Sequence, residues 1–508
     1  MAESAAVRWA KVVDQVRCIG CHACSTACKS ENQVPIGVHR TYVKYVDVGR
    51  FPQARRAFQV TRCNQCAEPP CVFACPTSAM YQRPDGIVDF DKRVCIGCKG
   101  CIAACPYDAI FINPEDHSAE KCNFCAQRLE VGLEPACVVV CPTEAIVVGD
   151  LNDGTSRVSE IVGRETVAVR RPEKETRPKL FYKGAHQATL DPLAARRPPG
   201  GLFLWSEQGS GRQQVTSGHP GAPNNAAAAM LAYDVAHQAP WDWRVSLYTW
   251  TKGIAAGAYL VPALLLLAGR LEPKSALWQW AAPVLGGVFL AATVGLLIFD
   301  LTHPERFYLV LTRPQWRSWL ARGGVILSLY GAVLVLHFLA ALLGRTGWPQ
   351  ALSWAGLPLA ALCAIYTAWL FAQAKARDLW QSPLLPPQLL VQAAASGAAA
   401  LLLLAALVEP LAVRPLAQIA AGATLVHVLL VAGEVTIAHP TAHARLAAFE
   451  MTRGRYAGFF RAAVALQVAA VLVGLAAPEG VLLAPLVLAG LLAHEHAFVQ
   501  AGQAVPLA

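Results

Sequence analysis

Sixteen of the chain's seventeen cysteines lie in four groups between Cys18 and Cys141. The groups are Cys18, Cys21, Cys24 and Cys28; Cys63, Cys66, Cys71 and Cys75; Cys95, Cys98, Cys101 and Cys105; and Cys122, Cys125, Cys137 and Cys141. Each group begins with two cysteines separated by two residues and ends with two separated by three. A cubic [4Fe–4S] cluster needs four thiolates that converge from different directions, and cysteine loops of this kind supply them. Four complete groups therefore predict four [4Fe–4S] clusters.

The order of the spacings bears on how the ligands are shared. A tight C-x2-C-x2-C loop can supply three corners of a cluster, whereas the next cysteine in sequence points away from it. In bacterial two-cluster ferredoxins this remote cysteine binds the neighbouring cluster, and the proline that follows it turns the chain. Three groups here end in Cys-Pro, at Pro76, Pro106 and Pro142, while Lys29 follows Cys28. The pattern predicts two closely spaced clusters per module.

Three other uses of cysteine fit this pattern less well. Structural zinc also uses paired C-x2-C, but the repeated C-x3-C-P endings are typical of ferredoxins. Eight disulfides would need an oxidising compartment and would not need so regular a spacing. Residues 18–22 match the haem-attachment pattern C-x-x-C-H, yet Cys24 and Cys28 continue the cluster motif. We therefore interpret the haem match as accidental.

Short apolar runs between the cysteine groups predict small strands that position the loops. Residues 43–48 alternate in part, and residues 86–90 precede the third group as a ferredoxin strand would. Residues 109–112 and 145–148 each follow a Cys-Pro pair at matching offsets, which indicates an internal duplication of a β-α-β-like unit. We expect residues 1–185 to form a duplicated α+β domain of the bacterial ferredoxin type.

The composition indicates that the second half of the chain lies in a membrane. Charged residues make up 15% and hydrophobic residues 55% of the 508 residues, whereas soluble domains carry about 25% charged residues. Eight apolar runs are long enough to cross a hydrocarbon core, which needs about 20 residues. They cover residues 245–269, 277–300, 322–343, 351–373, 388–408, 415–438, 457–477 and 481–503. We expect an all-α transmembrane domain of eight helices over residues 241–508, preceded by an extended connector over residues 186–240.

Basic residues are distributed unevenly around these helices. An even number of helices places both ends of the membrane domain on one side, where the loops carry ten Lys or Arg residues against four on the other side. The positive-inside rule then predicts an inner-membrane protein whose iron–sulfur domain faces the cytoplasm, and no export signal is recognisable near the N-terminus. The net charge of +9 comes without a dense basic run with interleaved aromatics, so we expect no nucleic-acid partner.

Ionisable side chains within apolar helices are costly and raise the question of function. Those in or next to the expected spans are Asp300, His337, His427, Glu434 and Glu495. A second explanation fits most of them equally well: they lie near helix ends, and their side chains reach the membrane interface. Asp300 and Glu434 stand out because each begins a wider polar stretch, and the stretch after Asp300 includes His303 and Arg306. The hydroxyl of Tyr366 has two possible roles, donation to a ligand carbonyl or simple packing among the helices.

Four segments of the second half resemble the membrane subunit of polysulfide reductase, the NrfD family. Residues 300–308 (DLTHPERFY) and 313–319 resemble the hallmark loop of that family. Residues 366–380 and 501–506 are similar to two further segments. The resemblance implies a quinone site near the last cluster, built partly by a fourth-helix tyrosine that matches Tyr366. We expect menaquinone or ubiquinone there, with Asp300, His303, Arg306 and Glu434 as further candidates for quinone binding or proton relay.

The first 185 residues resemble the usual partner of that family, the four-cluster electron-transfer subunit of molybdopterin oxidoreductases, and residues 177–182 (RPKLFY) are similar to its tail. The resemblance implies a separate molybdopterin-containing catalytic subunit. It also implies that the fourth cysteine is exchanged between groups. The ligand sets would then be Cys18, Cys21, Cys24 and Cys141; Cys28, Cys122, Cys125 and Cys137; Cys63, Cys66, Cys71 and Cys105; and Cys75, Cys95, Cys98 and Cys101.

We therefore interpret the protein as the fused electron-transfer and membrane-anchor subunit of a quinone-linked molybdopterin oxidoreductase, without a catalytic site of its own. Two alternatives stay open: a redox-coupled proton-translocating respiratory module, and a stand-alone ferredoxin:quinone oxidoreductase. A continuous polar path across the helices would favour the first alternative, and the lack of a co-purifying large subunit would favour the second. Polysulfide, thiosulfate, sulfite, dimethyl sulfoxide and arsenate enzymes share this architecture, so the resemblance selects none of these substrates.

The distribution of basic residues yields a testable topology. A reporter joined after residue 508 should be active only in its cytoplasmic form, because ten of the fourteen loop cations lie on the side of the two ends. Paired alkaline phosphatase and green fluorescent protein fusions would measure this. An active phosphatase fusion at that position would place the cysteine domain outside the cytoplasm.

Overall fold

The computed structural model describes residues 7–49, 52–196, 229–477 and 480–507. The chain divides into two units. The first comprises Met1–Pro240 with the short segments Ala374–Arg377 and Ala504–Ala508, and the second comprises Trp241–Gln373 and Asp378–Gln503. The change from one unit to the other at Trp241 coincides with the change from a polar to an apolar sequence.

The first unit is built from short strands and short helices. Its described strands are β1 (Trp9–Asp14), β2 (Thr41–Val48), β3 (Arg55–Arg62), β4 (Met80–Gln82), β5 (Val88–Phe90), β6 (Ile110–Ile112), β7 (Ala119–Lys121), β8 (Ile146–Asp150), β9 (Val167–Ala168), β10 (Leu180–Lys183), β11 (Ala195–Arg196) and β12 (Ala229–Tyr233). Its described helices are α1 (Ala23–Asn32), α2 (Pro70–Ala74), α3 (Gly100–Ala104), α4 (Ala126–Leu129), α5 (Ala136–Val139), α6 (Arg157–Arg164) and α7 (Gln187–Leu190). The expected α+β class is confirmed.

Two four-stranded sheets and two hairpins support the cysteine loops. The first sheet has the order β8-β1-β10-β9, and its central strand β1 buries four consecutive residues, which is typical of a strand covered on both faces. The second sheet has the order β11-β12-β2-β3. The hairpins are β4–β5 and β6–β7. The strands predicted within residues 43–48, 86–90, 109–112 and 145–148 are confirmed as β2, β5, β6 and β8.

The two described ends of the expected connector both join the second sheet. Strand β11 pairs in parallel with β12, and β12 pairs antiparallel with β2. Residues 197–228 of the connector lie outside the described residues.

Farther along, His237 Nδ1 lies 2.5 Å from Asp108 Oδ2, and its Nε2 lies 3.1 Å from Asp234 Oδ2. Burial disfavours the imidazolium, but the two carboxylates outweigh it and raise the pKa of His237 to about 10.

The second unit is helical throughout its described residues. Its helices are α8 (Trp243–Leu267), α9 (Ala282–Asp300), α10 (Leu309–Thr312), α11 (Trp319–Leu342), α12 (Gly347–Gln373), α13 (Leu385–Val408), α14 (Val413–Thr436), α15 (Ala442–Thr452), α16 (Ala457–Ala476) and α17 (Leu483–Gln503). Eight of these helices, all but α10 and α15, are long and apolar enough to cross a membrane, with α9 extended by the π-helical turn Leu277–Ala281. The prediction of eight membrane-spanning helices is confirmed.

Helix α8 lies at the centre of this unit, because it packs against α9, α12, α13 and α17. Its contact with α13 depends on small residues. A methyl group on Gly257 would overlap with the carbonyl oxygen of Ala393, and one on Gly397 would overlap with the backbone of Gly257. Gly253 also faces Ser396, so small residues at positions 253 and 257 allow α8 and α13 to approach closely.

This contact predicts a specific effect on stability. Gly257→Ala should destabilise the folded protein by about 1–3 kcal/mol or more, because the added methyl group has no space between the two backbones. The thermal unfolding midpoint in detergent measures the effect. Gly287→Ala on α9 is the matched control, since nothing lies within 4 Å of a methyl group there. Equal midpoints for the two variants would contradict the close packing of α8 and α13.

Candidate functional site

The cysteine loops share one backbone conformation. The residue just before the second cysteine of each group has a positive φ, namely Gly20, Gln65, Gly97 and Phe124. The third residue after each Cys-Pro closing cysteine also has a positive φ, namely Ser78, Asp108 and Glu144. Non-glycine residues rarely adopt this conformation, so its repetition shows that the four loops are built alike. The departure at Lys29 has a structural counterpart, because Cys28 lies within helix α1.

Backbone amides point at several cysteine sulfurs. The amides of Met80 and Ala145 donate to the sulfurs of Cys75 and Cys141, at 3.4 and 3.2 Å. The amide of Ala119 donates to Cys95 at 3.4 Å. Amide donors of this kind stabilise negative charge on sulfur, and they are among the groups that set the potential of an iron–sulfur cluster.

The structure brings thiols of different groups together. Cys18 interacts electrostatically with Cys141 and Cys21, and Cys24 does so with Cys137 and Cys18. A second set forms where Cys28 faces Cys122, Cys125 and Cys137. In a third set Cys71 faces Cys63, Cys66 and Cys105, and in a fourth Cys101 faces Cys75, Cys95 and Cys98. Each of these sets combines cysteines from two of the sequence groups.

One of these sets encloses a cavity. Cys75, Cys95, Cys98 and Cys101 line it together with apolar side chains that include Phe90. All seventeen cysteines are free thiols. Four free thiols around one cavity have the chemistry to hold a [4Fe–4S] cluster, which is bound by four thiolates.

Most of these thiols are buried deeply enough to resist ionisation by themselves. Burial raises the pKa of Cys24 to about 11 and that of Cys28 to about 12. Burial likewise raises the pKa of Cys105 to about 12. A coordinated metal deprotonates such a thiol outright, so the donors are suited to a bound cluster rather than to free thiolate chemistry.

Cys137 differs because buried cations surround it. Arg62 Nη1 donates to its sulfur at 2.9 Å, and Lys11 Nζ lies 3.7 Å away. Burial raises the pKa of this thiol, but Arg62 and Lys11 outweigh that effect and lower it to about 7. Arg62 Nε and Nη2 are themselves buried without a hydrogen-bond partner among the described residues. Cluster sulfides would supply acceptors for these atoms, which is a second respect in which the donor set fits the cluster.

In the membrane unit, Tyr366 lies on α12 beside a buried cation. The side chain is 3% exposed, and its ring lies 4.9 Å from Lys252 Nζ. Lys252, which sequence reasoning missed, is fully buried and donates to the carbonyl oxygen of Ala364 and to Thr367 Oγ1, both at 2.7 Å. A lysine within an apolar helix is a signal available in the sequence, because charged groups at membrane depth are rare.

Two acidic residues lie close to Tyr248, which is on the same helix as Lys252. The Tyr248 side chain is buried on α8 next to Thr367, with Asp300 and Glu495 close enough to act on it electrostatically. Glu495 also lies beside Lys252. The structure therefore brings the predicted residues Tyr366 and Asp300 into one neighbourhood. It adds Tyr248, Lys252 and Glu495 to them, and we call these five residues the Tyr366 cluster.

The polar neighbourhood continues into the other helices. Glu495 lies beside Gln392, whose Nε2 is 2.9 Å from His427 Nε2. His427 Nδ1 donates to Gln467 Oε1 at 2.6 Å, which leaves Nε2 as the acceptor in this network. Gln388 Nε2 lies 2.9 Å from His494 Nε2. This run of buried polar side chains reaches α13, α14, α16 and α17.

The other predicted site residues lie outside the Tyr366 cluster. His303 and Arg306 follow α9, where both approach Glu305, at 2.8 and 3.6 Å. Glu434 is buried on α14 near Ser382, and neither of its carboxylate oxygens has a hydrogen-bond partner within the part of the chain that the structure describes.

Comparison with known families divides the chain in the same way. Residues 55–151 match the model of the 4Fe-4S dicluster domain. Residues 233–507 match the model of the polysulphide reductase NrfD family. The second match covers more than half of the chain.

Curated relatives cover the first part of the chain. A tetrathionate reductase subunit of Salmonella typhimurium is 44% identical over 204 residues, 39% of this chain and 80% of the relative. A polysulfide reductase component of Wolinella succinogenes is 41% identical over 179 residues, 35% of this chain and 94% of the relative. The electron transfer subunit of thiosulfate reductase from Salmonella typhi is 46% identical over 157 residues, 30% of this chain and 81% of the relative.

The thiol sets predict a metal content. Anaerobically purified protein should contain about sixteen iron atoms and as much labile sulfide per chain, because four thiol sets each suit one [4Fe–4S] cluster. Cys101→Ser should lower the iron content by about one to four atoms. Cys363→Ser is the matched control, because this buried cysteine lies in the membrane unit. A wild-type content near eight iron atoms, or zinc in place of iron, would contradict the prediction.

Proposed function

We propose that this protein, a member of the polysulphide reductase NrfD family, carries electrons between a separate catalytic subunit and the membrane quinone pool through four [4Fe–4S] clusters. It joins an iron–sulfur electron-transfer domain to an NrfD membrane domain. The observation that carries the proposal is that one polypeptide holds both four sets of buried thiols and, in its membrane unit, a buried cluster of proton-carrying side chains.

We assign each cluster to one of the thiol sets described above. The neighbours of Cys18, Cys28, Cys71 and Cys101 support ligand sets in which the fourth cysteine comes from another group. When bound, the clusters supply one-electron redox chemistry. The chain's own residues bring the thiols together, bury most of them and place amide donors at the sulfurs of Cys75, Cys95 and Cys141.

The partner is a molybdopterin-containing catalytic subunit that docks near Cys21. The similar proteins named above are components of tetrathionate, polysulfide and thiosulfate reductases. Cys21 is the most exposed of the cluster cysteines, and apolar side chains on the flanking segments, Val16, Ile19 and Val139, are more than half exposed. An apolar surface around an accessible cluster ligand suits electron exchange with a docked protein. The chain itself then has no substrate chemistry beyond quinone oxidation or reduction.

The quinone site is formed around Tyr366. A quinone has two carbonyl acceptors that become hydroxyl groups on reduction, so its site needs hydrogen-bond donors and a proton source. Tyr366, Tyr248 and Lys252 are donors, and Asp300 and Glu495 are carboxyl groups within the same cluster. Gly323 supports the position of the tyrosine, because a methyl group there would overlap with the Tyr366 ring. His303, Arg306 and Glu434 are candidates for proton relay rather than for quinone contact.

We place the protein in the inner membrane with its iron–sulfur domain in the cytoplasm. Eight helices able to span a membrane support a multi-pass protein. The uneven distribution of loop cations supports the orientation.

A second candidate function is redox-coupled proton translocation. The observation that favours it is the run of buried polar side chains from the Tyr366 cluster through Gln392 to His427 and Gln467. Histidines and acidic residues linked in this way are typical of proton relays in membrane proteins. Loss of proton pumping with retained quinone turnover in His427→Phe would distinguish this function from simple electron transfer.

The quinone proposal is tested with Tyr366→Phe. The variant should slow electron exchange with a quinol analogue about five- to a hundredfold, because a buried carbonyl that loses its donor costs about 1–3 kcal/mol. Stopped-flow reduction of the clusters, in the complex purified in mild detergent, measures this rate. Dithionite should still reduce all four clusters.

Tyr330→Phe provides the matched control. Tyr330 is also buried, but its hydroxyl donates to the carbonyl oxygen of Ala255 and not to a residue of the Tyr366 cluster, so its loss should leave the quinol reaction unchanged. Wild-type quinol turnover in Tyr366→Phe would place the quinone site elsewhere in the bundle.

A complex that purifies without a large subunit would contradict the proposed partner.

A further inference from the structure

Arg62 is a buried arginine that faces thiols instead of a carboxylate. It ends strand β3, is 1% exposed, and donates through Nη1 to Cys137 at 2.9 Å. Its Nε and Nη2 are buried and have no hydrogen-bond partner within the described ranges. Arginine cannot lose its charge in a protein, and a buried charge is retained only where something compensates it. The compensation must come from the sulfur atoms that surround it.

The guanidinium group lies between two thiol sets. It acts electrostatically on Cys137 and Cys122, which belong to the set around Cys28, and on Cys24, which lies next to Cys18. Its direct hydrogen bond goes to Cys137. The hydrogen bond places the cation on the set around Cys28, and its charge acts also on Cys24 in the neighbouring set.

Two further side chains donate to the same set. Lys11 Nζ lies 3.7 Å from the Cys137 sulfur and 4.0 Å from the centre of the Phe124 ring. Asn32 Nδ2 lies 3.7 Å from the sulfurs of both Cys28 and Cys125.

The orientation of the Asn32 amide is fixed from its other side. Arg40 Nη1 donates to Asn32 Oδ1 at 2.8 Å, so the amide nitrogen is directed at the thiols. Arg40 is held in turn by Glu120 at 2.7 Å. Arg40 and Glu120 are both buried, which keeps the donor group in place.

We propose that Arg62, Lys11 and Asn32 raise the reduction potential of the cluster held by Cys28, Cys122, Cys125 and Cys137, so that an electron rests on this cluster during transfer. The inference rests on the proposed cluster ligands. Reduction adds one electron, and thus one negative charge, without making or breaking a bond. Buried positive charge and hydrogen bonds to the sulfurs therefore favour the reduced cluster. The three residues act on the cluster through its thiolate ligands, so they are positioning residues and not catalytic residues.

Redox titration followed by electron paramagnetic resonance tests this inference in the complete complex. Arg62→Gln should shift the reduction equilibrium of one cluster at least tenfold toward the oxidised form, which is about 59 mV for a one-electron couple. A neighbouring cluster should shift less in the same direction. Lys11→Met should shift one cluster only, because Lys11 contacts Cys137 but none of the thiols around Cys18 in the described residues. Arg62→Lys keeps the charge and should keep the potentials near their wild-type values.

Arg170→Gln is the matched control for the loss of a buried arginine. Arg170 is fully buried and also has two nitrogens without partners in the described part of the chain, but it donates to the carbonyl oxygen of Leu507 and lies near the Tyr107 ring. Its loss should leave all four reduction equilibria close to those of the wild type.

Iron analysis distinguishes a failure of the inference about reduction potentials from a failure of the proposed function. Four unchanged potentials in Arg62→Gln and Lys11→Met, with about sixteen iron atoms retained, would overturn the inference and leave the proposed function intact. If Arg62→Gln fails to retain iron, Lys11→Met decides: a lowered potential supports the inference and an unchanged one overturns it. A wild-type protein without four clusters would instead contradict the proposed function.

Discussion

The burial of most of the cluster thiols, eleven of the sixteen, next to buried cations is the interaction on which the cysteine domain depends. Thiols removed from water resist ionisation, as the raised pKa values of Cys24 and Cys28 show. Charges such as Arg62 are equally costly to bury alone. The two costs offset each other only when cation and sulfur meet, and a bound anionic cluster completes that balance. The short strands and tight loops of the domain hold these opposed groups together.

In the membrane unit, buried polar side chains are stabilised by neutral hydrogen-bond partners. A helix bundle in hydrocarbon is stable with few polar groups, yet α8 buries Lys252 and α14 buries His427. Lys252 is satisfied by a carbonyl oxygen and a hydroxyl group, and His427 by glutamine amides. Such hydrogen-bonded groups persist at membrane depth because the alternative, an unpaired polar group in hydrocarbon, is more costly.

The joining of the two parts in one polypeptide has a functional consequence. An iron–sulfur electron-transfer domain and an NrfD membrane domain are present in equal number because they are covalently linked. The two described ends of the connector extend the sheet that contains β2 and β3, and β3 ends at Arg62. The described ends of the linker are thus part of the sheet that places a cation at the clusters, rather than a tether independent of it.

The sequence by itself determined the features that depend on local spacing. Cysteine intervals and Cys-Pro endings indicated the loop type, and apolar runs of about 20 residues indicated eight spanning helices, because both are set within short segments. The tertiary structure decided which distant residues meet. The contacts of Cys137 with Arg62 and Lys11 depend on how strands far apart in sequence are placed, and the contacts of Lys252 with Ala364 and Thr367 depend on which helix faces pack together. The sequence shows that such polar side chains are present, but only the packing determines their partners. The register of a strand or the rotation of a helix decides which face each side chain lies on.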